Sequence, residues 1–280
     1  MKRISFLLFI SLFSLVSCRQ ETTKTEKETT ETKQPLKEKV AAKKTMADAA
    51  TILSKKEVPI LCYHHIKNIL PGDSEYKRAY TVTPAAFAEQ MKTLSENGYH
   101  TIVPEQLYNY LVYDEPLPAK PVMLTFDDTN VEQYTVGATE MNKYGFKGVY
   151  FIMTVSINRP NYMTKEQIKS LSDGGHAIAA HTWDHHRVTK YAGEDWNTQF
   201  VKPKKKLEDI TGKPVTHFAY PFGLWNQAAI PELKKSGYQL GFILATKRDT
   251  IDPLYTVRRI LVPSSWSAPG MLKAMDSSFK

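Results

Sequence analysis

The segment "VMLTFDDTN", residues 122–130, runs from apolar, strand-favouring residues straight into two adjacent carboxylates, Asp127 and Asp128. Like charges this close raise each other's pKa unless a cation intervenes. Farther along, "HTWDHH" places His181 and His185 four residues apart, with His186 next in line. That spacing lets one helical turn or a tight loop aim both imidazoles at a single point. Two imidazoles and one carboxylate make a ligand set for a divalent ion such as zinc. A dication also answers the Asp-Asp repulsion, since one carboxylate can ligate it while the other stays ionised beside it. Successive residues at a strand end point in different directions, so one aspartate can face the ion and its neighbour a bound water. That is a ligand paired with a general base. The competing reading of Asp127-Asp128 is a helix cap following a strand.

Chemistry of this kind needs strands and helices to aim it. Short apolar runs read as strands in "VPILCYH", "YHTIV", "PVMLTF", "GVYFIM", "HAIAAH", "THFAYP", "YQLGFILAT" and "VRRILVP". Between them lie helical stretches. In "TPAAFAEQMKTLSENG", Thr83 reads as the N-cap, Pro84 takes the first position, Phe87, Met91 and Leu94 share one face, and Gly98 ends the run. "PEQLYNYLVY", residues 131–144, "TKEQIKSLSDGG", residues 194–211 and "QAAIPELKKSG" supply the others. Strand–helix alternation implies an α/β fold, a parallel sheet with helices outside, with enough units for a barrel, complete or not. Runs that are apolar throughout, such as "GVYFIM", suit strands buried on both faces. In such barrels chemistry sits at the C-terminal ends of strands. Four of those ends carry reactive or turn-forming residues: His64-His65, Asp127-Asp128, His181 with His185 and His186, and Pro221-Phe222-Gly223.

Composition bounds the rest. The 280 residues are 42% hydrophobic and 24% charged, which suits a globular chain with one sizeable core. The net charge of +8 does not mark a nucleic-acid partner, because the lysines are scattered and the run "KPKKK" at 202–206 falls on an exposed helix face. Residues 1–17 read as a signal peptide, with Lys2 and Arg3 before an apolar stretch too short for a stable span. Their end, "LVSC", resembles the lipobox of bacterial lipoproteins, which would make Cys18 a lipidated residue and tether the exported protein to a membrane of the cell envelope. Arg19 after it points to the outer membrane or cell surface. Residues 18–56, rich in Thr, Glu and Lys, read as a disordered tether, and 57–280 as the folded domain. Cys62, inside "VPILCY", reads as a small buried apolar residue, so no disulfide framework is expected.

"TFDD", "HTWDH" and "FAYPFG", in that order and at these separations, resemble the polysaccharide deacetylases, carbohydrate esterase family 4, over about residues 57–265. The resemblance implies an incomplete (β/α) barrel, Asp127 as catalytic base, and Asp128, His181 and His185 as ligands of a divalent metal, zinc first. "ILCYHHI" further resembles the start of poly-N-acetylglucosamine deacetylases, which implies His64 as the catalytic acid, with His65 as the local alternative and His186 the alternative to His185. The implied reaction is hydrolysis of N-acetyl groups on an acetylated amino-sugar polysaccharide. The implied oxyanion donor is the backbone N–H of Phe222 in the "YPFG" loop. Tyr220, with Phe222, Trp183 and Trp225, is an aromatic candidate for the acetyl pocket or for stacking on sugar, with core packing as the other reading. Two departures stand out. Thr129 occupies a position where the family often has Gly, and Ala219 occupies the position of an Arg that orients the catalytic Asp. Arg258 and Arg259 are candidates to replace that charge. Rival readings are a peptidoglycan or chitin-oligomer deacetylase, an O-acetyl esterase, a non-catalytic glycan-binding lipoprotein, and a metal-binding protein.

Overall fold

The computed structural model describes residues 45–279. Among these residues the strands are β1 (Ile60–Tyr63), β2 (His65–Ile66), β3 (Thr81–Val82), β4 (His100–Thr101), β5 (Pro121–Asp127), β6 (Gly148–Ile152), β7 (Ala177–Ala180), β8 (His217–Ala219), β9 (Leu240–Phe242) and β10 (Ile260–Leu261). The α-helices are α1 (Ala49–Ser54), α2 (Glu75–Ala79), α3 (Pro84–Glu96), α4 (Pro104–Tyr113), α5 (Thr139–Asn142), α6 (Lys165–Asp173), α7 (Lys202–Thr211), α8 (Ala229–Lys235) and α9 (Ala268–Ser278). The main sheet is parallel throughout, in the order β10-β1-β5-β6-β7-β8-β9, with β4 against the first residues of β5. Its terminal strands β9 and β10 do not pair, so the sheet curls into an incomplete barrel of the expected α/β type.

Two apolar clusters follow from the strand period of two. Ile60, Met123, Val149, Phe151, Ala179, Ala219 and Phe242 lie in one, and their neighbours Leu61, Leu124, Tyr150, Ala180 and Phe218 lie in the other with helix residues such as Phe87, Met91 and Leu171. The first set faces the barrel interior and the second lies under the helices. Continuing the interior register to the strand ends brings Cys62, His64, Asp127 and His181 to one place. Alternation therefore aims the site.

Local chemistry explains the helix limits. Thr83 Oγ1 accepts the Ala86 N–H at 3.2 Å, with Pro84 at the first position of α3. Gly98 follows at φ 72°, left-handed and costly for other residues. In 131–144 the chain forms a π-helical stretch, Gln133–Ala138, before α5.

Three expectations about boundaries change. The folded chain begins before residue 57: Asp48 accepts the Thr51 N–H at 2.8 Å to cap α1, and Ile52 is buried in the inner cluster. The Thr/Glu/Lys composition ends before "MADAATIL", which supplies both a cap and an apolar anchor. The expected strand "YQLGFILAT" is formed only over Leu240–Phe242; on its outer side β9 meets only the single residue Val257, whose N–H donates to the Gly241 carbonyl at 2.8 Å and whose carbonyl accepts the Ile243 N–H at 2.9 Å. The helix α9 was not expected at all; Ser267 caps it, and Met271 and Met275 are buried in the outer cluster. The signal segment 1–17, Cys18 and the tether as far as residue 44 lie outside the described residues.

Candidate metal centre and active site

The two strand-end carboxylates part at once. Asp127 ends β5 in the inward register, whereas Asp128 and Thr129 take left-handed φ of 77° and 69°. Each such residue costs about 1–2 kcal/mol. Thr129 is buried, and its hydroxyl offsets that cost by accepting the Met153 N–H at 2.8 Å and facing the Met153 carbonyl at 3.3 Å. The turn sends Asp128 towards the histidines. Its Oδ1 lies 3.2 Å from Nε2 of His185 and 3.5 Å from Nε2 of His181.

His181 continues the inward register of β7, and its Nδ1 donates to the Ala219 carbonyl at 2.8 Å. A carbonyl only accepts, so the neutral ring carries its lone pair on Nε2, facing the carboxylates. His185 arrives by a tight loop, not a helical turn. Thr182 and His185 have φ of 66° and 65°, and the Thr182 hydroxyl accepts the His185 N–H at 2.9 Å.

Asp128 Oδ1 is buried and accepts no hydrogen bond. An acceptor oxygen opposite an acceptor nitrogen repels unless a cation stands between them. Tetrahedral coordination with N and O bonds of about 2.0–2.2 Å sets ligand edges of about 3.3–3.6 Å; the observed contacts are 3.2 and 3.5 Å. The ligand atoms of Asp128, His181 and His185 all lie within 4.8 Å of one another. A divalent ion fits this triad. Burial pushes His185 down to about 4, with His181 adding to the effect, so its ring is neutral and free to ligate near pH 7.

Asp127 has a different partner. Arg259 donates from Nη1 to Oδ1 at 2.6 Å and from Nη2 to Oδ2 at 2.8 Å, a bidentate pair. The guanidinium is fully buried, lies over the Phe151 ring at 4.9 Å, and also donates to Thr125 Oγ1 at 3.2 Å. Arg258 turns away to Glu57 at 2.7 Å. The charge absent at Ala219 therefore comes from Arg259, beside the last strand. Burial works to raise the Asp127 pKa, but Arg259 and then His181 outweigh it and hold the carboxyl at about 2.

His64 extends β1 into the same space. Cys62 Sγ lies 3.6 Å from Asp127 Oδ2 and 3.9 Å from His64 Nδ1. The Tyr80 ring meets the imidazole edge-on at 4.7 Å. Burial lowers the His64 pKa, against the pull of Asp128 and Asp127. The neighbouring histidines separate from these pairs. His65 points to Glu132 at 2.8 Å, and the largely exposed His186 to Asp184 at 3.2 Å.

His64, Asp127, Asp128 and His185 open into a cavity of about 320 Å³ whose rim includes His65, Tyr76, Tyr80, Phe222 and Leu244. Phe222 has φ 60° and sets its ring edge-on to His185 at 4.5 Å. Gly223 beside it, at φ 67°, leaves no room for a side chain, as a Cβ there would lie 2.7 Å from the Leu244 nitrogen. Tyr220 is a correction: its ring is fully buried against Phe218 at 5.3 Å and does not line the cavity. It continues β8, and the strand alternation turns it under the helices. Trp183 packs beneath Lys206 and Trp225 against the outer cluster. Tyr76 and Tyr80 were not foreseen, since α2 is five residues long and buries none of them. A larger cavity of about 520 Å³, lined by His176, His217 and Gln239, lies at the opposite ends of the strands.

The curled parallel sheet and its strand-end triad define a metal-dependent deacetylase, a hydrolase of C–N amide bonds. The chain belongs to the polysaccharide deacetylase family, whose profile matches residues 114–241. Its relative YxkH of Bacillus subtilis, which bears the polysaccharide deacetylase name, is 30% identical over 281 residues, spanning 97% of this chain and 95% of that protein. A poly-beta-1,6-N-acetyl-D-glucosamine N-deacetylase of Staphylococcus epidermidis is 28% identical over 74% of this chain and 80% of its own length. The Streptococcus pyogenes deacetylase PplD, solved in complex with acetate, superposes with a TM-score of 0.72 at 25% identity, covering 78% of this chain and 98% of that one.

Proposed function

We propose that this protein removes N-acetyl groups from an N-acetylglucosamine-containing polysaccharide, giving acetate and a free amine. The observation that carries the reading is the division between the adjacent carboxylates: Asp128 faces His181 and His185, while Asp127 is locked by Arg259. A triad for an ion and a separately held anion are what amide hydrolysis by a positioned water requires. Asp128, His181 and His185 would hold the metal, and their nitrogen and oxygen donors suit zinc. When bound there, the ion would supply Lewis acidity towards the acetamide carbonyl and a water.

Asp127, anionic above about pH 2, accepts the proton of the attacking water. His64 donates a proton to the departing amine, which leaves poorly without one. Its lowered pKa makes the imidazolium a readier donor, although fewer rings hold the proton at neutral pH. Phe222 lines the cavity, and its backbone N–H is the donor that the family resemblance assigns to the oxyanion. The names of its relatives support a poly-N-acetylglucosamine or related glycan as substrate. Exposed Tyr76 at the cavity rim suits stacking on a pyranose ring. Export through residues 1–17 and lipidation of Cys18 would place the enzyme at the cell envelope beside such polymers.

The test is a panel of acetylated glycans, including poly-β-1,6-N-acetylglucosamine, peptidoglycan fragments, chitin oligomers and an O-acetyl ester, scored for acetate release with and without chelator. Chelator-sensitive release from the first is expected. Release from the ester alone would overturn the amide assignment, and metal binding without turnover on any glycan would favour a binding protein.

A further inference from the structure

Cys62, His64 and Asp127 form a second cluster of possible ligands, separate from the Asp128–His181–His185 triad. All three are buried, and their ligand atoms lie within 4.8 Å of one another. Tetrahedral coordination with a sulfur bond of about 2.3 Å and nitrogen or oxygen bonds of about 2.0–2.2 Å sets sulfur-to-nitrogen and sulfur-to-oxygen edges of about 3.5–3.7 Å. The observed separations are 3.6 Å from Sγ to Asp127 Oδ2 and 3.9 Å from Sγ to His64 Nδ1. Little movement would close the site.

We propose that Cys62, His64 and Asp127 bind a soft divalent cation as a second metal site, and that its occupancy inhibits the enzyme. Thiolate favours thiophilic ions over magnesium or calcium. The ion enters from the cavity, which His64 and Asp127 line. It replaces the Cys62 thiol proton, which passes to water, so an S–H···O contact becomes a sulfur–metal–oxygen bridge. Arg259 occupies one side of each Asp127 oxygen, and the side of Oδ2 facing Cys62 is the one the ion takes. Its positive charge weakens this site relative to the triad, so the triad fills first. Inhibition, which rests on the roles proposed above for Asp127 and His64, follows directly. Metal on Nδ1 keeps the imidazole from becoming imidazolium, and metal on Oδ2 competes for the lone pair that would take a proton.

Cadmium is the probe, and the full chain carries only one other thiol, Cys18. In Cys18→Ser, where Cys62 is the sole thiol, cadmium should produce a thiolate-to-metal charge-transfer band in the ultraviolet, and equilibrium dialysis should find two ions per chain. Cys18→Ser/Cys62→Ser should lose the band and bind one. Relative to each protein's own activity at one equivalent, the second equivalent should cost the single variant about tenfold or more and leave the double variant unchanged. Absence of the band in Cys18→Ser would overturn the proposal without reference to the folding of any Cys62 variant, as would two ions bound by the double variant. Band and stoichiometry are read without turnover. A cadmium-binding Cys62 in a protein that deacetylates nothing would sustain this site and reject the function.

Discussion

Arg259 and Asp127 meet through two parallel hydrogen bonds, of 2.6 and 2.8 Å, between two buried side chains. Removing one partner of such a pair strands the other charge, at a cost of about 3–5 kcal/mol. Arg259→Gln should therefore lose most of its activity and unfold at lower urea. Asp127→Asn/Arg259→Gln should lose less stability than the two single changes summed, since the stranded charge is gone. Arg259→Lys, which keeps the charge but not the fork, should fall between wild type and Arg259→Gln in acetate release. Additive stabilities across the cycle would mean that the pair is not coupled.

Thr129 takes a conformation that suits glycine, with a hydroxyl that offsets the cost through Met153. Thr129→Val keeps the strained φ and leaves a Met153 N–H without its acceptor, so it should destabilise by about 1–3 kcal/mol. Thr129→Gly loses the same hydrogen bond but relieves about 1–2 kcal/mol of backbone strain, and should lie between wild type and Thr129→Val. Urea unfolding of the three proteins checks the order; a Val variant as stable as wild type would show that the hydroxyl is not what holds this turn.

Much of the site was legible because strand alternation is a strictly local rule. It explains how Asp127, His64 and His181 share one interior register, and how Asp128 departs from it. The four-residue step from His181 to His185 was legible too, although a loop with two left-handed residues makes it instead of a helix. Arg259 was only one of two candidates. Its pairing with Asp127 spans 132 residues, and nothing local distinguishes it from Arg258. Tyr220 shows the limit of reading a motif as a site, since in "YPFG" alternation aims its ring away from the cavity that Phe222 lines. Helix α1 escaped because a single buried residue, Ile52, anchors it, whereas α9 carried a readable signal, a Ser267 cap followed by Ala268, Met271 and Met275 at helical spacing. The Tyr76–Tyr80 rim has no sequence signature: its helix is one short turn.

His176 gives a pH dependence with a definite sign. Its Nδ1 accepts the Gly148 N–H at 3.0 Å, so the ring must be neutral, and burial lowers its pKa from 6.5 to about 4, with Lys147 adding to the effect. Between those values the unfolded chain binds the proton and the folded chain does not, so stability falls as pH drops from about 6.5 to about 4. From pH 7 to 5 the loss from this group is about 2 kcal/mol. Asn places an acceptor near the Nδ1 position without titrating, and His176→Asn should flatten the decline over that window in urea unfolding measured at both pH values. His217, whose pKa burial lowers to about 3, contributes in the same direction and should leave a residual slope. An unchanged slope in His176→Asn would remove His176 from the acid response.

Asp127 and Asp128, adjacent in sequence, should fail in different ways. Asp128 Oδ1 faces both imidazoles and has no hydrogen-bond donor, so Asp128→Asn should weaken zinc binding in equilibrium dialysis and lose activity at limiting metal. Asp127→Asn leaves the triad intact, so its zinc affinity should stay close to wild type while kcat falls by about 10²–10⁴, the range for loss of a general base. Thermal unfolding offers an independent reading. A ligand at a hundred times its dissociation constant stabilises the folded state by about 2.7 kcal/mol, so zinc should raise the Tm of wild type and Asp127→Asn alike and raise that of Asp128→Asn much less. Equal loss of zinc affinity in the two variants would mean that both carboxylates hold the ion, and Asp127 would then no longer be free to take a proton from water.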